Sequence, residues 1–109
     1  MKTALNISDN ICGTSWYGLV VTTTPNELIK AFGEPQYEDP AVDEKVSMEW
    51  WMETNDGLVF TIYDWKEYYS PAARNYERVY DFHIGIKNSV DGTRVVEIFK
   101  EYGFNARLR

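Results

Sequence analysis

From Lys45 to Glu53 the chain changes character at every step. Val46, Met48, Trp50 and Met52 fall on one side, and Ser47, Glu49, Trp51 and Glu53 on the other. A period of two is that of a half-buried β-strand and does not fit a helix. Asn55-Asp56-Gly57 follows as a hairpin turn, and Leu58 to Lys66 is the returning strand. The register can be argued as well. A three-residue loop with Gly57 left-handed pairs Met52 with Phe60 and Trp50 with Ile62. A two-residue loop at Asp56-Gly57 would set Glu49 against Asp64, and like charges directly opposite are unfavourable. The three-residue loop is therefore expected.

The rest of the chain is arranged around this hairpin. Residues 15–23, β-branched and aromatic, form an earlier strand. Thr24 then caps a helix, with Pro25 in its first turn and Glu27 completing a capping box. Leu28, Ile29 and Phe32 are its apolar stripe; Gly33 ends it and Pro35 prevents its return. Residues 34–44 are an acidic loop. Residues 67–78 are a polar, tyrosine-rich loop with room for one helical turn. Val79 to Lys87 is a further strand with Tyr80, Phe82, Ile84 and Ile86 inward. Asn88 or Ser89 caps a last helix over 90–102, whose apolar face is Val95, Ile98, Phe99 and Tyr102, and Gly103 stops it. Residues 1–14 are an arm or a short edge strand, and residues 104–109 a short basic tail.

The order β-α-β-β-β-α predicts one α+β domain over residues 1–109, with a four-stranded, mainly antiparallel sheet and both helices on one face. The covered face takes Tyr17, Leu19, Val21, Met48, Trp50, Met52, Phe60, Ile62, Phe82 and Ile84. The open face carries Trp16, Val20, Glu49, Trp51, Tyr63, Trp65, Asp81 and His83. An open face so rich in aromatic rings is a binding surface or a subunit interface. A homodimer or larger oligomer is expected from it.

Composition narrows the partners. The 109 residues include four Trp, eight Tyr and five Phe, more than a core of this size hides. The net charge is −6, with the acidic excess in the first two-thirds. That balance argues against non-specific duplex DNA binding, which needs phosphate neutralisation. One cysteine, Cys12, leaves no internal disulfide and fits a reducing cytosolic compartment. No apolar run is long enough for a membrane span, and residues 1–10 lack a signal-peptide pattern.

No catalytic motif stands out. His83 with Asp64 or Asp81 is the only acid–base combination, and the strand reading sends Asp64 to the core side and His83 to the other. Cys12 has no activating neighbour, no metal-ligand spacing occurs, and no glycine-rich phosphate loop is present. Binding without catalysis, metal or cofactor is expected. Arginine forks hold phosphate and aromatic rings stack on bases, so a small nucleotide is an eligible ligand. The basic residues near aromatic or loop positions are Arg74, Arg78, Lys87, Arg107 and Arg109. The expected binding residues are Trp16, Trp51, Tyr63, Trp65, Arg78, His83, Arg107 and Arg109. Glu38, Asp39, Asp43 and Glu44 form an acidic patch suited to a protein partner.

Several short strings recur together: Tyr17-Gly18, Glu27-Leu28 with Phe32 to Pro35, Glu49-Trp50, Asp56-Gly57, Thr61 to Lys66 and His83 to Gly85. In this pattern the chain resembles a widespread group of small phage and prophage proteins. It differs in having Phe82 where a tryptophan commonly precedes the His-Ile-Gly string, and in the length of its tyrosine-rich insertion. The resemblance implies a counter-defence factor in the bacterial host's cytoplasm. One mechanism is a sponge for a nucleotide immune signal, as in anti-Thoeris proteins. The other is an anti-CRISPR protein that blocks a Cas effector.

Overall fold

The computed structural model describes residues 2–38, 46–65 and 75–109. The predicted hairpin is its centre. β4 (Met48–Thr54) and β5 (Val59–Tyr63) pair antiparallel, with Met52 opposite Phe60, Trp50 opposite Ile62 and Glu49 opposite Tyr63. The loop is the three-residue form. Thr54 N–H donates to the Leu58 carbonyl, Gly57 N–H returns to the Thr54 carbonyl, and Gly57 has φ 96°. That left-handed backbone is one that glycine adopts without a Cβ penalty.

The four expected strands are the inner part of a larger sheet. Seven strands are found among the described residues. Six run β1-β4-β5-β6-β2-β7, with β3 also on β4, and every pairing is antiparallel. β2 is Ser15–Thr23 and β6 is Tyr80–Ile86. The three additions are β1 (Leu5–Ile7), which realises the edge-strand alternative for residues 1–14, and β3 (Tyr37–Glu38) and β7 (Arg107–Leu108), expected as loop and tail. Each is two or three residues long, too short for alternation to be read. Each is held by the edge it joins rather than by its own propensity.

Helix α1 (Pro25–Phe32) starts as expected, with the Thr24 hydroxyl accepting from Glu27 N–H at 3.1 Å. It ends at Gly33, whose carbonyl accepts from the buried Trp50 indole N–H at 2.8 Å. The expected 90–102 helix begins differently. Ser89–Asp91 is a 3₁₀ turn, α2 proper is Gly92–Glu101, and neither Asn88 nor Asp91 makes a side-chain cap. Its end is a Schellman motif: Gly103 N–H donates to Lys100 and Phe104 N–H to Phe99.

Leu28 of α1 and Val95, Ile98 and Phe99 of α2 share one core with alternate residues of β2, β4, β5 and β6. Both helices therefore cover the same sheet face. Phe32 joins them, its ring 5.6 Å from Phe99 and 5.7 Å from Phe104. Tyr17, expected on this face, is instead exposed. A bulge in β2 sets Tyr17, Gly18 and Leu19 against Ile84 alone, with Gly18 at φ 98°.

The opposite face is less open than expected. β1 and β2 lie on opposite sides of the β4-β5-β6 block, so residues 8–14 must cross it. The Ser8 hydroxyl donates to the open-face carboxylate of Glu53 at 2.6 Å. The Thr14 side chain lies over Gly85, within 3.6 Å of where a Cβ on that glycine would stand. Val20 is fully buried although its register places it on this face, between His83 and Arg107.

Candidate functional site

β6 lies between β5 and β2, so His83 stands at mid-sheet, opposite Tyr63 on one side and Val20 on the other. The β2 bulge decides what covers it. Trp16 remains in register with Gly85, and its indole N–H reaches the Leu19 carbonyl at 2.8 Å. The indole thereby lies flat on the His83 ring, with centroids 4.2 Å apart and planes 9° apart. Trp65 is nearly parallel to His83 at 6.0 Å, and the Tyr63 ring meets His83 edge-on at 5.5 Å. His83 is only 7% exposed, whereas Trp16 and Trp65 are each about 40% exposed. Two half-exposed indoles thus flank a buried imidazole.

The C-terminal strand brings charge to this array. Pairing of β7 with Leu19 and Val20, and of Arg109 N–H with the Gly18 carbonyl, places two arginines beside it. Arg107 donates to the Thr22 hydroxyl at 3.0 Å, and Thr22 donates to Asp81 at 2.5 Å. The Arg109 guanidinium is 3.9 Å from Asp81, a loose and exposed pair. Arg78 lies over the Tyr80 ring at 4.9 Å. A cleft of about 390 Å³ results, lined by Trp65, Arg78, Tyr80, Asp81, His83 and Arg109. That volume suits a small ligand.

Burial, and next the nearby Arg109 charge, push the His83 pKa down, with Asp81 opposing. The imidazole is therefore neutral at neutral pH. The sign for stability follows. The unfolded chain binds this proton near pH 6.5, and the folded chain only below that. Stability should fall as pH drops from 6.5 through the lower folded value. Urea midpoints at pH 7.5 and 5.5 check this: His83→Phe should lose less on acidification than the native chain.

Beyond Tyr63 the same row of the sheet reaches Glu49. Burial raises the Glu49 pKa; the Trp51 indole opposes this and the charge of Asp64 adds to it. Tyr63 is pushed up to about 12, by burial first and then by Glu49. Asp64 itself is fully buried on the core side, as its register predicts. It accepts from Ser47 N–H at 2.8 Å, Met48 N–H at 3.0 Å and the Ser47 hydroxyl, away from His83.

Of the residues expected to bind, Trp16, Tyr63, Trp65, Arg78, His83 and Arg109 come together. Arg107 sits behind them, engaged with Thr22. Trp51 does not join. It pairs with Thr61, does not line the cleft above, and among the described residues stacks on none of these rings. Glu38 is exposed in β3 and accepts from the Tyr76 hydroxyl at 3.0 Å. Asp39, Asp43, Glu44 and Arg74 lie outside the described residues. Glu49, which alternation placed on the open face, and Thr61 and Gly85 beside it were not among the expected binding residues. The signal was a carboxylate and a glycine at open-face positions among aromatic neighbours. Among the described residues no three His, Cys, Asp or Glu side chains group as metal ligands, and no helix is long and apolar enough to cross a membrane. No protein-family model, curated protein or solved structure matches the chain.

Proposed function

We propose that this protein binds a small nucleotide on its open sheet face and acts by holding it, without turnover. The supporting observation is the Trp16–His83–Trp65 stack beside Arg78 and Arg109. Half-exposed indoles offer faces to a base, and base–aromatic stacking is worth about 1–3 kcal/mol per base. Guanidinium groups take phosphate oxygens in charge-assisted bonds. Two such cations suffice for a mononucleotide even on a chain of net charge −6. In the counter-defence setting that the sequence pattern implies, the bound molecule is an immune signal, sequestered in the bacterial cytoplasm.

Native mass spectrometry of protein taken directly from cells, with calorimetry against cyclic nucleotides and cyclic ADP-ribose isomers, tests this reading. A co-purifying nucleotide or a saturable heat supports it. No small molecule and no heat with any member of the panel rejects it, and leaves the protein-blocking alternative, for which the acidic residues around Glu38 would be the contact.

A second part of the proposal is association of two copies around the cleft. The exposed apolar rim supports it: Val79 is 56% exposed, beside Trp65. Light scattering at micromolar concentration should give a dimer mass, and Trp65→Glu should halve it. A monomer mass for the native chain would contradict it.

A further inference from the structure

We propose that the smaller cleft beyond Tyr63 is a base-edge subsite, in which Glu49 and Thr61 select guanine over the other bases; this rests on the nucleotide reading above. The cleft holds about 190 Å³ and is lined by Glu49, Thr61, Tyr63, Trp65, Gly85 and Thr14, among others. Trp65 lines it and the arginine cleft alike. A ring stacked on Trp65 therefore has cations at one edge and Glu49 at the other. Glu49 lies on β4, and the Arg109 guanidinium reaches over β6 to Asp81. Two strand spacings across and two residues along β6 separate them, about 12 Å in all. A nucleoside monophosphate spans such a gap from base edge to phosphate.

Two features of the cleft support this reading. Gly85 lines the cleft: a Cβ there would stand 2.5 Å from Thr61 Oγ1 and 3.5 Å from the Tyr63 ring, so only glycine lets these two side chains pack over β6 and border it. Thr61 is fully buried, and its hydroxyl has no hydrogen-bond partner among the described residues. Buried hydroxyls are nearly always satisfied, and Thr61 lines the cleft, so a ligand atom that reached this hydroxyl, which is closed to solvent in the unliganded chain, would satisfy it. Glu49 is half-buried, and no lysine or arginine among the described residues pairs with it.

The chemistry then chooses the base. Above its raised pKa Glu49 is ionised, and an ionised carboxylate only accepts hydrogen bonds. Guanine presents two adjacent donors, N1–H and the N2 amino group, which fit two carboxylate oxygens, and its O6 can accept from the Thr61 hydroxyl. Adenine and cytosine each set a lone pair beside their amino group, and uracil flanks its one N–H with two carbonyls. Each would bring a lone pair against the carboxylate.

Calorimetry with 5′-GMP, 5′-AMP, 5′-CMP and 5′-UMP tests the proposal. GMP should bind about tenfold to a hundredfold more tightly than AMP, the discrimination expected of a good bidentate pair. Glu49→Gln should remove that preference, lowering GMP affinity while leaving AMP unchanged. Thr61→Val, close in shape, should weaken GMP while melting no lower than the native chain, because it removes an unsatisfied hydroxyl. This variant serves as the readout if Glu49→Gln fails to fold. Equal affinity for GMP and AMP, or a preference that survives both substitutions, overturns the subsite and leaves the nucleotide reading standing. Absence of binding by all four nucleotides overturns the subsite, and the nucleotide reading falls with it only if the cyclic panel above also gives no heat.

Discussion

Asp64→Ala should be among the most damaging single substitutions in this chain, lowering stability by about 3 kcal/mol or more. Its carboxylate is fully buried and accepts from two backbone N–H groups and one hydroxyl across the start of β4. Alanine leaves three buried donors without an acceptor, each costing about 1–3 kcal/mol. Single domains have only about 5–15 kcal/mol in total. Asp64→Asn keeps one oxygen for the two N–H groups, and the Ser47 hydroxyl can turn to accept from the new amide. It should cost markedly less. Urea denaturation of the two variants checks the ordering; equal midpoints would show that the bonds to Ser47 and Met48 contribute little. Asp64 also lies between Tyr63, the last residue of β5, and Trp65 just beyond it, so the same bonds hold the backbone that carries both rings.

The largest effect on binding is expected from the paired arginines. Arg78→Ala with Arg109→Ala should weaken a nucleotide monophosphate about a hundredfold while leaving thermal stability within about a degree or two of the native chain. Hydrogen bonds to charged groups contribute about 1.5–3 kcal/mol each, and about 1.4 kcal/mol is tenfold in affinity. Both side chains are exposed, and the loose Arg109–Asp81 pair contributes little to folding. Calorimetry beside a thermal melt separates the two quantities. Loss of binding without loss of stability assigns the arginines to the ligand. A large drop in melting temperature would assign them to the fold.

What could be read from the sequence was whatever repeats over several residues. The hairpin register followed from charge repulsion between Glu49 and Asp64, and the pairing of Met52 with Phe60 bears it out. The α1 cap at Thr24 and the Gly103 stop were legible because helix ends use few residue types. The apolar stripe of α2 was legible at a spacing of three and four. Strands of two or three residues carry no such pattern, so β1 was open only as one of two alternatives and β3 and β7 were missed, and with them the way β7 brings Arg107 and Arg109 beside Asp81. The β2 bulge was missed too. It depends on Gly18 taking a positive φ, and it moves Tyr17 outward while keeping Trp16 over His83. For the site, the aromatic members were visible from alternation. Alternation placed Glu49 on the open face too, but its grouping with Thr61 and Gly85 was not legible, because it depends on which strands lie side by side and on a hydroxyl left without a partner.

The central claim is that a nucleotide rests on the exposed faces of Trp16 and Trp65. The four tryptophans give four indole N–H signals, assignable by single substitution to phenylalanine. Trp16 and Trp65 face solvent, whereas Trp50 is fully buried with its N–H on the Gly33 carbonyl. Titration of ¹⁵N-labelled protein with 5′-GMP should therefore shift the Trp16 and Trp65 indole signals in a saturable way and leave that of Trp50 in place. Indole signals for Trp16 and Trp65 that stay fixed at saturating nucleotide would contradict it.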